Sequence, residues 1–200
     1  MYRRISLYLA FAAALSLTAA PAFAQKVRDL SGDNLTSGNL IHVLTPKGPR
    51  PRGLSLEPPK CTRFQKQEQA SRGLELAPKA DIAALDVEFE VNSAILTPAA
   101  EKTLDTLGQA LSSAELKPCC FEVRGYTDAT GGASYNQKLS TERAQSVIAY
   151  LSARTGIDKE RMMPKGFGKS RPVASNATEA GRQKNRRVQV VNLGYGAASD

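Results

Sequence analysis

The sequence predicts an α+β fold: a βαβαββ order, with helices packed on one face of a mixed sheet, preceded by an extended arm. Three observations predict it. Leu85, Val87, Phe89 and Val91 alternate with Asp86, Glu88 and Glu90, the period of a strand with one buried face. Two later stretches carry apolar residues at helical spacing, Ala100, Leu104, Leu107 and Leu111, then Ala144, Val147, Ile148 and Leu151. Short apolar runs from Met162 to Phe167 and from about Arg186 to Leu193 supply two closing strands.

The elements follow in chain order. Thr97-Pro98 offers an N-cap and a first-turn proline, and Glu101 complements the dipole of the helix that they start. Cys120 to Tyr126 reads as a strand with Phe121 and Val123 on one face and Glu122 and Arg124 on the other. It runs into the loop Thr127-Asp128-Ala129-Thr130-Gly131-Gly132. Ser134 and Gln137 have the spacing of a capping box, so a long second helix starts there, and it stops near Thr155-Gly156. A short helix from Thr178 precedes the last strand.

Before the domain, which spans residues 81–195, two segments differ in composition. Tyr2-Arg3-Arg4, an apolar run of about 16 residues and Ala22-Phe23-Ala24 have the order of a secretory signal peptide over residues 1–24. The run is short of the roughly 20 residues that span a bilayer. Cleavage after Ala24 exposes Gln25 rather than a cysteine, so the leader is not that of a lipoprotein. Residues 25–80 are rich in Gly, Pro, Ser and basic side chains, as in Pro46-Lys47-Gly48-Pro49 and Glu57-Pro58-Pro59-Lys60, and read as an extended arm. Within it Leu40-Ile41-His42-Val43-Leu44 is read as a short strand or a docking patch without a core of its own. The arm is too short for an outer-membrane barrel, which needs about eight strands of about ten residues. Residues 196–200 are read as a tail.

With 27 basic and 19 acidic residues the chain is moderately basic, which in an exported protein suits an anionic wall or membrane surface. Nucleic acid is not expected, because no aromatic side chains interleave with Arg182, Arg186 and Arg187. Cys61, Cys119 and Cys120 in an oxidising compartment predict one disulfide, between Cys61 and either Cys119 or Cys120. No metal site or cofactor is expected, since no C-x-x-C pair occurs and His42 is the sole histidine. No enzyme is expected either: His42 has no Ser or Cys motif around it, and no pair of carboxylates stands out as a glycan-cleaving couple.

Five motifs occur in a fixed order: Phe89-x-x-Asn92-Ser93-Ala94-x-Leu96; Val123-x-Gly125-Tyr126-Thr127-Asp128-x-x-Gly131; Tyr135-Asn136-x-x-Leu139-Ser140-x-x-Arg143-Ala144-x-x-Val147; Gly166-Phe167-Gly168; and Asn176-x-Thr178-x-x-Gly181-Arg182-x-x-Asn185-Arg186-Arg187-Val188. Together they resemble the OmpA-like peptidoglycan-binding domain, the family of outer-membrane anchors, peptidoglycan-associated lipoproteins and flagellar motor stators. Tyr126 departs from it, since many members carry histidine before the Thr-Asp pair.

The resemblance implies recognition of the diaminopimelate residue of the peptidoglycan stem peptide, which carries an ammonium and a carboxylate at its free end. Asp128 is then the partner of the ammonium and Arg143 the guanidinium that forks onto the carboxylate. Asn92, Thr127, Asn136 and Arg186 are expected to line the pocket. The implied role is anchoring to the cell wall, in the periplasm and in association with peptidoglycan or the outer membrane. An alternative reading makes the domain an assembly adaptor of a secretion or motility complex, with residues 25–80 meeting an envelope protein partner.

Overall fold

The computed structural model describes residues 26–47, 61, 64, 82–90 and 92–196. The expected leader, Val91, most of the segment between residues 48 and 81, and residues 197–200 lie outside the described residues. Among the described residues five strands form one sheet: β1 (Val27–Asp29), β2 (Ile82–Leu85), β3 (Cys119–Gly125), β4 (Met162–Gly166) and β5 (Val188–Tyr195). Their order is β1-β2-β5-β3-β4, so the last strand of the chain sits at the centre. It runs antiparallel to β2 and β3, while β1 with β2 and β3 with β4 run parallel. The sheet is mixed, as the sequence predicts.

Helices α1 (Ser37–Leu44), α2 (Pro98–Leu111) and α3 (Ala133–Thr155) contribute to one core with the apolar side chains of the sheet. The Thr97 side chain caps α2 by accepting from the amide of Ala100, and Pro98 opens its first turn. Leu104, Leu107 and Leu111 of α2 meet Val147, Ile148 and Leu151 of α3 in that core, together with Phe121, Val123, Val188 and Val190. Helix α3 ends at Gly156, whose φ of 69° is the left-handed cap that favours glycine. Its start differs from the expected capping box. Gly132 is the N-cap and makes no side-chain bond, which leaves Ser134 inside the first turn.

Two further expectations are corrected. The alternating stretch 85–91 is not one strand: β2 covers Ile82–Leu85 and leaves the sheet after Leu85, which pairs with Val188, the first residue of β5. Beyond it Val87 still points into the core, and Phe89 bridges Leu96 in a separate turn. Residues 26–47 are also not an extended arm. Val27–Asp29 add an edge strand beside β2, and the Leu40–Leu44 cluster is a helix, capped by Thr36, that buries Leu40, Val43 and Leu44. Alternation and helical spacing are hard to separate in so short an apolar run.

The second face of the sheet is covered as well. All seven residues of β3 are buried, Glu122 and Arg124 among them as an ion pair. Cys61, Phe64, Ile82, Cys120, Met163, Val191 and Leu193 form a separate apolar cluster there. Strand alternation sends Cys119 into the helix-side core and Cys120 to this face, where it forms the disulfide with Cys61. Cys119 stays outside the disulfide, its thiol 3.8 Å from the Glu115 carbonyl.

Candidate functional site

Two glycines set where α3 meets the sheet. Gly125 ends β3 and pairs with Gly166 of β4. A Cβ on Gly125 would fall 2.1 Å from the Ser140 carbonyl oxygen, and one on Gly166 2.5 Å from the Ser140 hydroxyl. Only glycine admits so close an approach. Ser140 is fixed from two sides, donating to the Gln137 carbonyl at 2.9 Å and accepting from the Gly168 amide at 2.9 Å. The helix segment Asn136–Arg143 thereby stands directly above the strand ends, beside the loop that carries Asp128.

Asp128, Asn136, Arg143, Arg186 and Asn92 line one cleft of about 500 Å³. Five of the six residues expected at the site thus come together from four parts of the chain. Asp128 is held twice: its Oδ1 accepts from the Thr130 amide at 2.8 Å and its Oδ2 from Nη1 of Arg186 at 2.8 Å. Asn136 ties the same loop to α3 by donating to the Thr130 carbonyl at 2.7 Å. Arg143 is 5% exposed; its Nε donates to the Ser93 carbonyl at 3.0 Å, and its guanidinium lies 4.8 Å above the Phe89 ring. Among the described residues no carboxylate lies within ion-pair distance of Arg143, and its terminal nitrogens make no hydrogen bond.

Asn92 has φ 53°, a left-handed conformation that asparagine tolerates better than most residues. It shapes the turn between Phe89 and Leu96, and its carbonyl accepts from the Tyr135 hydroxyl at 3.4 Å. Thr127 is the exception among the expected residues. It is buried outside the lining of the cleft, donating to the Asp128 carbonyl through its hydroxyl and to the Gly168 carbonyl through its amide. It supports the loop from beneath. Tyr126, the departure from the family pattern, also lies outside the lining, with its hydroxyl donating to Gln189 and its ring stacked on Phe167.

The electrostatics separate the two charged groups. Burial alone pushes the Asp128 carboxyl up, but the Arg186 hydrogen bond, those from Thr130 and the Arg186 charge together hold it below its ordinary value. Burial and the nearby Arg186 charge lower the Arg143 pKa, against the pull of Asp128 and Tyr135. An arginine so displaced remains a cation at neutral pH. The cleft therefore presents an anion, already partly neutralised, and a desolvated cation with open donors.

Several participants were not singled out from the sequence. Phe89 forms the shelf under Arg143, and its place in the first motif was the available signal. Glu179 accepts from Arg182 at 2.6 Å and from Arg186 at 2.7 Å, and so fixes the arginine that holds Asp128. Its spacing of three and seven residues from those arginines on one short helix, α4 (Glu179–Asn185), marks such a bridge. Among the described residues no group of three or more His, Cys, Asp or Glu could hold a metal ion, and no helix is long and apolar enough to cross a membrane.

Comparison with known proteins agrees with this architecture. The sequence model of the OmpA family matches residues 88–186. The chain is 41% identical over 105 residues to the protein named "Probable lipoprotein YiaD" of Escherichia coli K12, covering 52% of this chain and 47% of that protein. It is 39% identical over 109 residues to outer membrane protein A of Bordetella avium, covering 54% of this chain and 55% of that one. The chain thus spans about half the length of these relatives. In fold it matches the periplasmic domain of Helicobacter pylori MotB, with a TM-score of 0.51 at 22% identity, over 58% of this chain and 74% of that one. These relatives are envelope proteins, in keeping with the location that the sequence predicts. Residues 88–186 thus form a domain of the OmpA family.

Proposed function

We propose that the cleft binds the stem peptide of peptidoglycan through the free end of its diaminopimelate residue and so anchors the protein, or an envelope complex that contains it, to the cell wall. The observation that carries this reading is the joint placement of the Asp128 carboxylate and the open Arg143 guanidinium in one cleft. A ligand end with one ammonium and one carboxylate is complementary to that pair. The carboxylate of Asp128 has lone pairs beyond those used by Thr130 and Arg186, and accepts the ammonium there. The terminal nitrogens of Arg143 take the ligand carboxylate as a fork.

Each charge-assisted bond contributes roughly 1.5–3 kcal/mol. With the polar contacts of Asn136 and Arg186, a single site reaches about the micromolar range. A polymer carrying many stems adds avidity. The chemistry is that of a binding module: it needs both charges throughout and no proton transfer.

Co-sedimentation with purified sacculi tests the proposal. The wild type should pellet with sacculi, and Asp128→Ala and Arg143→Ala should each stay in the supernatant while keeping the wild-type circular dichroism spectrum. Retention of both folded variants on sacculi would rule this site out.

A further inference from the structure

A second cleft, of about 620 Å³, adjoins the first. The two share Asp86, Glu179, Gln183 and Arg186, so they form one continuous groove that bends around the Arg186–Glu179 bridge. The new part runs between α4 and the ends of β1 and β2. Much of its wall, including Val27, Asp29 and Ala84, lies before the stretch that matches the family model.

Its chemistry differs from that of the first cleft. Small or short apolar groups line it, and two of them, Val27 and Val173, are 48% and 58% exposed. Ala180, exposed on α4, lines it together with Ala84 and Leu85. Charge is divided across the groove. Asp29 and Asp86 come from β1 and the residue after β2, while Lys184 and Arg187 come from α4 and the residue before β5; Glu179, the acid on the α4 side, is already paired with Arg182 and Arg186. Burial, then the neighbouring Glu88 and Asp29 charges, push Asp86 above its ordinary value in spite of Arg186. Arg187 is 9% exposed, lies 3.8 Å over the Tyr126 ring, and has a buried Nε with no hydrogen-bond partner. Among the described residues no carboxylate pairs with it. A ligand carboxylate is accordingly drawn to the Lys184 and Arg187 side.

We propose that this second cleft receives the D-alanine that follows diaminopimelate in the stem peptide, with its methyl group against Ala84, Ala180 and Val173 and its terminal carboxylate toward Lys184. The inference rests on the reading of the Asp128 and Arg143 cleft as the diaminopimelate site. It adds length selectivity to that reading: stems that keep the D-alanine are held at two points, and stems trimmed to diaminopimelate at one.

The test is isothermal titration of the protein from residue 25 onward with two probes, L-Ala-γ-D-Glu-meso-diaminopimelate and the same peptide extended by one D-alanine. One buried methyl and one solvent-screened ion pair to the exposed Lys184 predict roughly tenfold tighter binding of the longer peptide. Ala180→Leu fills the cleft from an exposed helix position, and Lys184→Gln removes the exposed cation. Neither residue lines the first cleft. Ala180→Leu should bring the longer peptide down to the affinity of the shorter one, Lys184→Gln should remove most of the difference, and both should leave the shorter peptide unchanged. Equal affinity of the wild type for the two peptides, or a tenfold preference kept in both variants, overturns the second cleft and leaves the first standing. Failure of a folded wild type to bind either peptide overturns both.

Discussion

Arg186 holds Asp128 with one terminal nitrogen at 2.8 Å and Glu179 with the other at 2.7 Å. The carboxylate proposed to meet the ligand is thus oriented before any ligand arrives. Preorganisation of this kind lowers the ordering cost of binding. It also sets the acid limit of the site, because the same bonds favour the ionised form of Asp128.

The first prediction concerns that limit. The folded-state pKa of Asp128 is depressed below 3.8, so its stabilising bonds are fully present above that value and are lost as pH falls through the depressed one. Peptide binding should therefore keep its Asp128 contribution between pH 7 and pH 4. In Arg186→Ala the depressing bond and charge are gone while burial remains, and the Asp128 titration followed by carboxyl NMR should move upward. An unchanged titration would mean that the Asp128–Arg186 pair does not exist in solution.

The second prediction concerns residues 26–47. Leu44 is fully buried in the main core, and its carbonyl accepts from Asn192 of β5 at 2.7 Å. Leu44→Ala should cost about 2–5 kcal/mol in urea unfolding, as for any large-to-small change in a core. A cost under about 0.5 kcal/mol, the size of a surface substitution, would return this segment to the status of a detached arm.

The third prediction concerns the disulfide. Cys61 and Cys120 are 59 residues apart in sequence, and closing a loop of that size stabilises by roughly 2–4 kcal/mol. Cys120→Ser should lower stability by about that amount, and peptide mapping of the non-reduced wild type should recover the Cys61 peptide joined to the one holding Cys120. Because Cys119 and Cys120 share a tryptic peptide, the comparison with Cys119→Ser decides the assignment: that variant should keep the crosslink.

The second prediction also marks where sequence and structure diverge. Helix α2 and most of the sheet were legible because their signals are local: Thr97, Pro98 and the Leu104, Leu107, Leu111 stripe need no knowledge of the rest of the chain. Asp128, Asn136, Arg143 and Arg186 were legible only as members of spaced motifs, since no local property distinguishes Arg143 from an arginine at the edge of an apolar stripe. What was not legible is long-range pairing. Val27–Asp29 become a strand only because β2 offers an open edge, and alternation cannot say that the partner of β2 ends at Val188. Thr127 was expected in the pocket from its place in the Tyr126-Thr127-Asp128 motif, whereas the strand end turns its side chain beneath the loop. Glu179 went unnoticed because its value lies in Arg186, whose own partner is 58 residues away.

The most direct measurement of the central claim is isothermal titration of the wild type, Asp128→Ala and Arg143→Ala with a stem peptide that ends in diaminopimelate. The wild type should bind saturably in about the micromolar range. Each variant should lose more than about thirtyfold, the cost of leaving one partner of a desolvated charge pair unmatched. A folded wild type that shows no heat of binding, or variants that bind as tightly as it does, would contradict the account.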